Sequence, residues 1–168
     1  MDTEKHGVMV ADDERLNRFV VSRILGGISG CGEIGLSGDG IQLLEQIVAD
    51  PDKYGLIITD IMMPGMTGPE AAKEIFQSTR TNACVVFMSG GGLRESDRRI
   101  LSEILSDERV LGVIEKPFSK EDIGRAFQAA FGQDSERETA CQELISATRA
   151  AAKDVLQIEL PGRFQAQA

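Results

Sequence analysis

The chain has one histidine, three cysteines and fewer basic than acidic residues among its 168 positions. It has no long hydrophobic run. Each scarcity excludes something. The only histidine, His6, sits at the N-terminus, so Ser-His-Asp or Cys-His catalysis and a His/Cys zinc site are not expected. His6 itself reads as a solvated N-terminal residue. Cys31, Cys84 and Cys141 are odd in number and lack metal-ligand spacing, so they read as free thiols in a reducing cytoplasm. Eighteen Lys+Arg stand against 27 Asp+Glu, for a net charge of −9. No basic stripe stands out, which argues against non-specific binding of nucleic acid or anionic membranes. No apolar stretch reaches the roughly 20 residues that span a bilayer. The N-terminal MDTEKHGVMVADDE has no secretory pattern.

What remains is an ordinary globular composition, 42% apolar and 27% charged, in a chain long enough to bury a core without staples. Short apolar runs occur at 8–11, 33–37, 54–59, 83–88 and 110–115. They are rich in Val and Ile and mostly continuous, as parallel strands buried on both faces require. Amphipathic stretches lie between them, at 14–25, 41–48, 69–78, 94–105 and 120–131. In the first, Leu16, Phe19, Val20 and Ile24 fall at helical spacing. Asp39 is positioned to cap the second, Pro69 suits a first helical turn, and Ser119 with Asp122 forms a capping-box variant. Strands alternating with helices predict a doubly wound α/β fold around a five-stranded parallel sheet, with right-handed crossovers.

In such sheets ligands bind beyond the carboxyl ends of the strands. Polar residues cluster there. The first run ends in Asp12 and Asp13, the third in Asp60, the fourth in Ser89 and the fifth in Lys116. Taken singly, each has a bland reading as a helix cap, a solvated loop or a turn. Together they form a chemical set. Adjacent carboxylates resist ionising unless a cation is shared. Hard oxygen ligands suit Mg²⁺, and a carboxylate is a feasible nucleophile toward phosphorus. A lysine ammonium and a serine hydroxyl could then neutralise phosphoryl oxygens.

The stretches VMVADDE (8–14), IITDIMMPGMTGPEA (57–71), VFMSGG (86–91) and VIEKPFS (113–119) resemble those of receiver domains of bacterial two-component response regulators. The resemblance covers roughly residues 5–132. It implies a flavodoxin-like sheet of order 2-1-3-4-5 and a phosphoacceptor at Asp60, served by a histidine kinase or histidine phosphotransfer protein. It further implies Mg²⁺ bound directly by Asp13 and mostly through water by Asp12, with Asp60 and the Met62 carbonyl as further ligands. Ser89 and Lys116 would contact the phosphoryl group, and Pro117 would follow a cis peptide. Such a domain would turn over no outside substrate. It would switch contacts with a downstream protein, without binding nucleic acid or membrane.

The sequence departs from the family in three places. Many receivers carry an aromatic switch residue three positions before the lysine, where this chain has Val113; Phe87 or Phe118 would have to substitute. Gly90, Gly91 and Gly92 follow Ser89 and predict a mobile entry to the fourth helix. Met62 lies two residues after Asp60, where it would shield an acyl phosphate from water. It also argues against a haloacid-dehalogenase-like phosphatase, which places a second Asp there. A pseudo-receiver binding module is the other alternative, opposed by the intact acid, serine and lysine set.

Residues 133–168 are read as an appended extension. Ser135 and Glu138 form a capping box. Cys141, Leu144, Thr148, Ala151, Val155 and Ile158 make an apolar stripe on a helix reaching about residue 158. PGRFQAQA then breaks the helix and is expected to fray. A helix of that length needs its stripe buried. A homodimer contact through the stripe is slightly favoured over docking on the chain's own domain.

Overall fold

A computed structural model describes residues 4–166. Met1–Thr3 of the N-terminal stretch and residues 167–168 of the expected frayed end lie outside them. Five parallel strands stand in the order β2-β1-β3-β4-β5: β1 (His6–Ala11), β2 (Cys31–Ser37), β3 (Leu56–Asp60), β4 (Cys84–Ser89) and β5 (Val110–Glu115). Helices α1 (Arg15–Gly26), α2 (Gly40–Ala49), α3 (Gly68–Ser78), α4 (Glu95–Ile104) and α5 (Lys120–Phe131) connect and follow them. A sixth helix, α6 (Asp134–Ala151), continues into one π-helical turn, Ala152–Leu156. Among the described residues no helix is long and apolar enough to cross a membrane.

The continuous apolar runs have a direct structural cause. Alternate strand residues point to opposite faces, and both faces are covered. Val8 and Val10 of β1, Ile58 of β3 and Val86 of β4 join Val21, Leu25, Ile123 and Phe127 of α1 and α5 in one cluster. Met9, Ile57, Val85 and Phe87 turn the other way, toward Leu43, Ile47, Ile75 and Leu101 of α2, α3 and α4. Local signals set the helix starts. Asp39 accepts from Gln42 N–H at 2.8 Å. Ser119 and Asp122 cap α5 reciprocally, at 3.1 and 2.7 Å. Thr67 and Glu70 do the same for α3.

Four expectations fail locally. Leu16, Phe19 and Val20 are not the buried stripe of α1; they are 69%, 58% and 37% exposed, and Val21 and Leu25 are buried instead. Apolar residues occupy both sides of this helix, and packing selects the i, i+4 pair. His6 is not a free solvated residue: it begins β1, and its ring stacks on Phe131 at 4.3 Å. Ser135 does not cap α6. The helix starts at Asp134 after Gln133, with no side-chain cap bond, because the two-residue link from α5 sets its origin. The segment after Pro161 does not fray within the described residues: Gly162–Phe164 form a 3-10 turn and Phe164 is fully buried.

The extension docks on its own domain. Ala140 and Leu144 join the α1–α5 cluster, while Ala151, Leu156 and Phe164 join the α2–α4 cluster. α6 therefore crosses the outer edge of β5 from one face of the sheet to the other. At the crossing, Val113 N–H donates to Thr148 Oγ1 at 2.8 Å, and that hydroxyl donates to Leu144 O at 2.7 Å. One N–H of an otherwise open sheet edge is thus satisfied, and α6 covers the edge. Gly112 permits the approach: its φ is +155°, and a β-carbon there would lie 2.5 Å from Thr148 Oγ1. Of the stripe weighed for a dimer contact, Leu144, Thr148 and Ala151 are buried within the chain, while Cys141, Val155 and Ile158 are half-buried.

Candidate functional site

Strand register brings the sequence-predicted residues to one rim. Ala11 pairs with Thr59, Asp60 with Met88, and Ser89 with Glu115. Asp12, Asp60, Ser89 and Lys116 therefore sit at one level of adjacent strands. Carboxylate oxygens of Asp12, Asp13 and Asp60 lie within 4.8 Å of one another. Lys116 Nζ is 2.8 Å from Asp12 and 3.1 Å from Asp60. Asp12 is fully buried and Asp60 only 6% exposed, whereas Asp13 is exposed. Ser89 is also buried, and its Oγ accepts from Gly91 N–H at 3.2 Å. The Lys116–Pro117 peptide is cis.

Three carboxylates thus face a single ammonium. Burial pushes the Asp60 carboxyl up from 3.8 to about 6; Lys116 opposes the shift, Asp12 adds to it, and the Met62 backbone opposes it. For Lys116, burial works against the charged form, but Asp12 and Asp60 outweigh it and hold the ammonium above its ordinary value. The surplus is negative and partly dry, and it consists of hard oxygen donors. These residues fit a small divalent cation such as Mg²⁺.

Several positioning residues were not singled out in the sequence. Asn17 Nδ2 donates to both Asp12 oxygens at 3.4 and 3.2 Å, and Glu14 N–H donates to Oδ1 at 2.9 Å. Arg18 Nη1 donates to the carbonyls of Asp12 and Asp13, at 2.6 and 3.2 Å. Thr59 Oγ1 donates to the Asp60 carbonyl at 3.1 Å. Gly68, the first residue of α3, packs so tightly that any β-carbon would overlap the Asp60 carbonyl oxygen. Gly68→Ala is expected to cost about 1–3 kcal/mol of stability through overpacking, measured by urea denaturation. An unchanged midpoint would mean that α3 does not press on Asp60.

The three departures also have structural places. Val113 is fully buried opposite Phe87 in the register. Phe87 is fully buried within the α2–α4 cluster, and Phe118 is partly buried against the other. Gly91 and Gly92 adopt φ of +89° and +72°, which glycine alone tolerates freely. Met62 is half-buried against the α2–α4 cluster.

Comparison with known proteins agrees with this geometry. Residues 8–128 match the family model of the response regulator receiver domain. Two-component response regulator ARR3 of Arabidopsis thaliana is 33% identical over 135 residues, covering 74% of this chain and 55% of that protein. Transcriptional regulatory protein PdtaR of Mycobacterium tuberculosis is 33% identical over 123 residues, covering 73% of this chain and 55% of its own length. The chain thus spans just over half the length of these two relatives. Among solved structures, the signal receiver domain of the putative response regulator NarL from Mycobacterium tuberculosis matches with a TM-score of 0.62 and 26% identity. It covers 77% of this chain and 99% of its own. Vibrio cholerae chemotaxis protein CheY4 shares the fold, with a TM-score of 0.60 at 23% identity over 76% of this chain and 99% of its own. The chain belongs to the response regulator receiver domain family.

Proposed function

We propose that Asp60 accepts a phosphoryl group from the phosphohistidine of a sensor histidine kinase or histidine phosphotransfer protein. The carrying observation is the Asp60 carboxylate itself: nearly buried, at the strand rim, between Asp12 and Lys116. With its pKa near 6 it is ionised at neutral pH and remains a nucleophile. In the transfer, an Asp60 carboxylate oxygen forms the new P–O bond. The donor's P–N bond breaks, and the imidazole leaves with the electron pair. Lys116 offsets charge on the phosphoryl oxygens, and the Ser89 hydroxyl donates to one of them. Asp12, Asp13, Asp60 and the Met62 carbonyl would hold Mg²⁺, which supplies further charge neutralisation when bound. The self-phosphorylated and self-dephosphorylated state, rather than turnover of an outside substrate, is the output.

The surroundings of the rim support a protein donor. α1 starts directly after Asp12 and Asp13 and exposes Leu16, Phe19 and Val20 beside the exposed Arg15 and Arg23. An apolar and basic collar on a chain of net charge −9 offers a landing surface next to the acceptor. The acceptor domain would occupy roughly residues 5–132 and the extension 133–168. We place the chain in the cytoplasm, switching contacts with a downstream protein and binding no nucleic acid directly.

The test is incubation with Mg²⁺ and acetyl phosphate, followed by intact-mass measurement. The expected result is a stable gain of one phosphoryl group, abolished in Asp60→Asn and by chelation of the metal. Release of inorganic phosphate without a persistent adduct would instead favour a phosphatase. No gain under any condition would favour the pseudo-receiver.

A further inference from the structure

The last described segment, 152–164, is built as a strap. It begins with the π-helical turn and passes through Gln157, the only described non-glycine residue with positive φ, at 53°. It then runs without regular structure to Pro161 and ends in the 3-10 turn Gly162–Phe164. Its grip is made largely by side chains holding backbone carbonyls. Arg98 of α4 donates to Leu156 O at 3.0 Å, and Ser102 of α4 donates to Glu159 O at 2.8 Å. In the other direction, Arg163 reaches the carbonyls of Leu105 and Asp107, each at 2.9 Å, and that of Val110 at the head of β5. Leu156 and Phe164 are fully buried anchors. Large anchors and satisfied main-chain groups are the elements of peptide-in-groove recognition. The α4–β5 side therefore works as a binding groove, and its occupant is the chain's own strap.

The strap also reaches the site. A β-carbon placed on Gly91 would sit 3.6 Å from Val155 Cγ1. Gly91 is the residue whose N–H is held by Ser89 Oγ. One short path thus runs from the rim through Ser89 and Gly91 to Val155 and the strap.

We infer that strap docking and phosphoryl binding at Asp60 are coupled, each weakening the other. The inference rests on the phosphoacceptor reading above. When Ser89 turns toward a phosphoryl group, the Gly91 N–H must follow it or lose its acceptor, a cost for a half-buried donor. Gly91 and Gly92, at positive φ, let the loop follow. The loop then leaves Val155, and α4, which begins three residues after Gly92, shifts under Arg98 and Ser102. The π turn and the left-handed Gln157 store strain in the docked strap, which lowers the cost of release. Release uncovers the outer side of α4 and the head of β5 at Val110. By linkage, a weakened strap must raise affinity for a phosphoryl group, by at most the factor by which phosphorylation weakens the strap.

Hydrogen exchange followed by mass spectrometry on the full chain tests this. Amides of 152–164 are expected to exchange at least about tenfold faster after treatment with Mg²⁺ and acetyl phosphate. Arg98→Ala, which lies outside the site, is expected to bind the phosphoryl mimic trifluoroberyllate about fivefold more tightly, a modest value for such coupling. Unchanged exchange in a sample whose intact mass shows full phosphorylation would overturn the strap coupling alone, as would unchanged trifluoroberyllate affinity in a folded Arg98→Ala. A chain that never gains the phosphoryl mass would overturn the phosphoacceptor reading, and the coupling with it.

Discussion

Lys116→Met is expected to lower stability by roughly 2–4 kcal/mol at pH 8 in chelator, because breaking a buried ion pair strands its partner charges. Here two carboxylates would be stranded, Asp12 at 2.8 Å and Asp60 at 3.1 Å from the lost ammonium. The lysine tip is partly open to water, which keeps the figure below the upper part of the usual range. The deficit should depend on pH in a determined direction. Asp60 has its carboxyl raised from 3.8 to about 6 in the folded chain. The folded state therefore binds that proton more tightly, and stability falls as pH rises between those values. Lys116 is the group that restrains the rise. Without it the Asp60 pKa moves further up, and the penalty at pH 8 grows. At pH 5 both chains carry a largely protonated Asp60 and the deficit shrinks. Urea denaturation at the two pH values reads this directly. Equal deficits at pH 5 and pH 8 would show that the ammonium is not balancing the acids. Mg²⁺ is expected to restore more stability at pH 8 than at pH 5, since it supplies the missing positive charge.

Phe164→Ala should cost about 3–5 kcal/mol, the range for truncating a fully buried aromatic side chain. That is a large share of the 5–15 kcal/mol typical of a domain. The residue lies far along the chain from β4 and β5, yet it has no exposed surface and belongs to the same cluster as Phe87, Leu101 and Val113. The shift in urea midpoint measures the cost. A loss under about 0.5 kcal/mol would place this segment among ordinary surface positions and would contradict the packing of the extension.

The parts of the molecule differ in how legible they were. The five strands could be read from Val/Ile runs because both faces of a parallel sheet are covered, so apolar side chains are required at successive positions. The rim residues could be read because each polar group interrupts such a run at its carboxyl end. Asp39 and Ser119 mark helix starts through bonds made within four residues, and Pro69 through its fixed φ, so local sequence carries them. The face of α1 was not legible in the same way. Val20 and Val21 are neighbours in sequence and lie about 100° apart around a helix. Either side could have been buried, and only the sheet beneath selects Val21 and Leu25.

The same contrast governs the site. Asp12, Asp13, Asp60, Ser89 and Lys116 are visible because their chemistry forms a set. Asn17, Arg18, Thr59 and Gly68 were not legible because each acts through an approach that only the folded strand end and turn create: an amide to a carboxylate, a guanidinium to two carbonyls, a hydroxyl to a carbonyl, a missing side chain beside a backbone oxygen. None of these leaves a local pattern.

By itself the sequence determined the alternation of strands and helices, the five-stranded parallel sheet and the acidic rim with its lysine, since these follow from periodicity and from the order of strand ends. Only the tertiary structure decided which side of α1 meets solvent, and that α6 packs along the edge of β5. It also decided that Phe164 ends in the core. The physical reason is common to all three. An amphipathic segment states that it must be covered, but the free energy of covering it depends on which surface lies within reach of the folded chain, and that surface exists only after the sheet has formed.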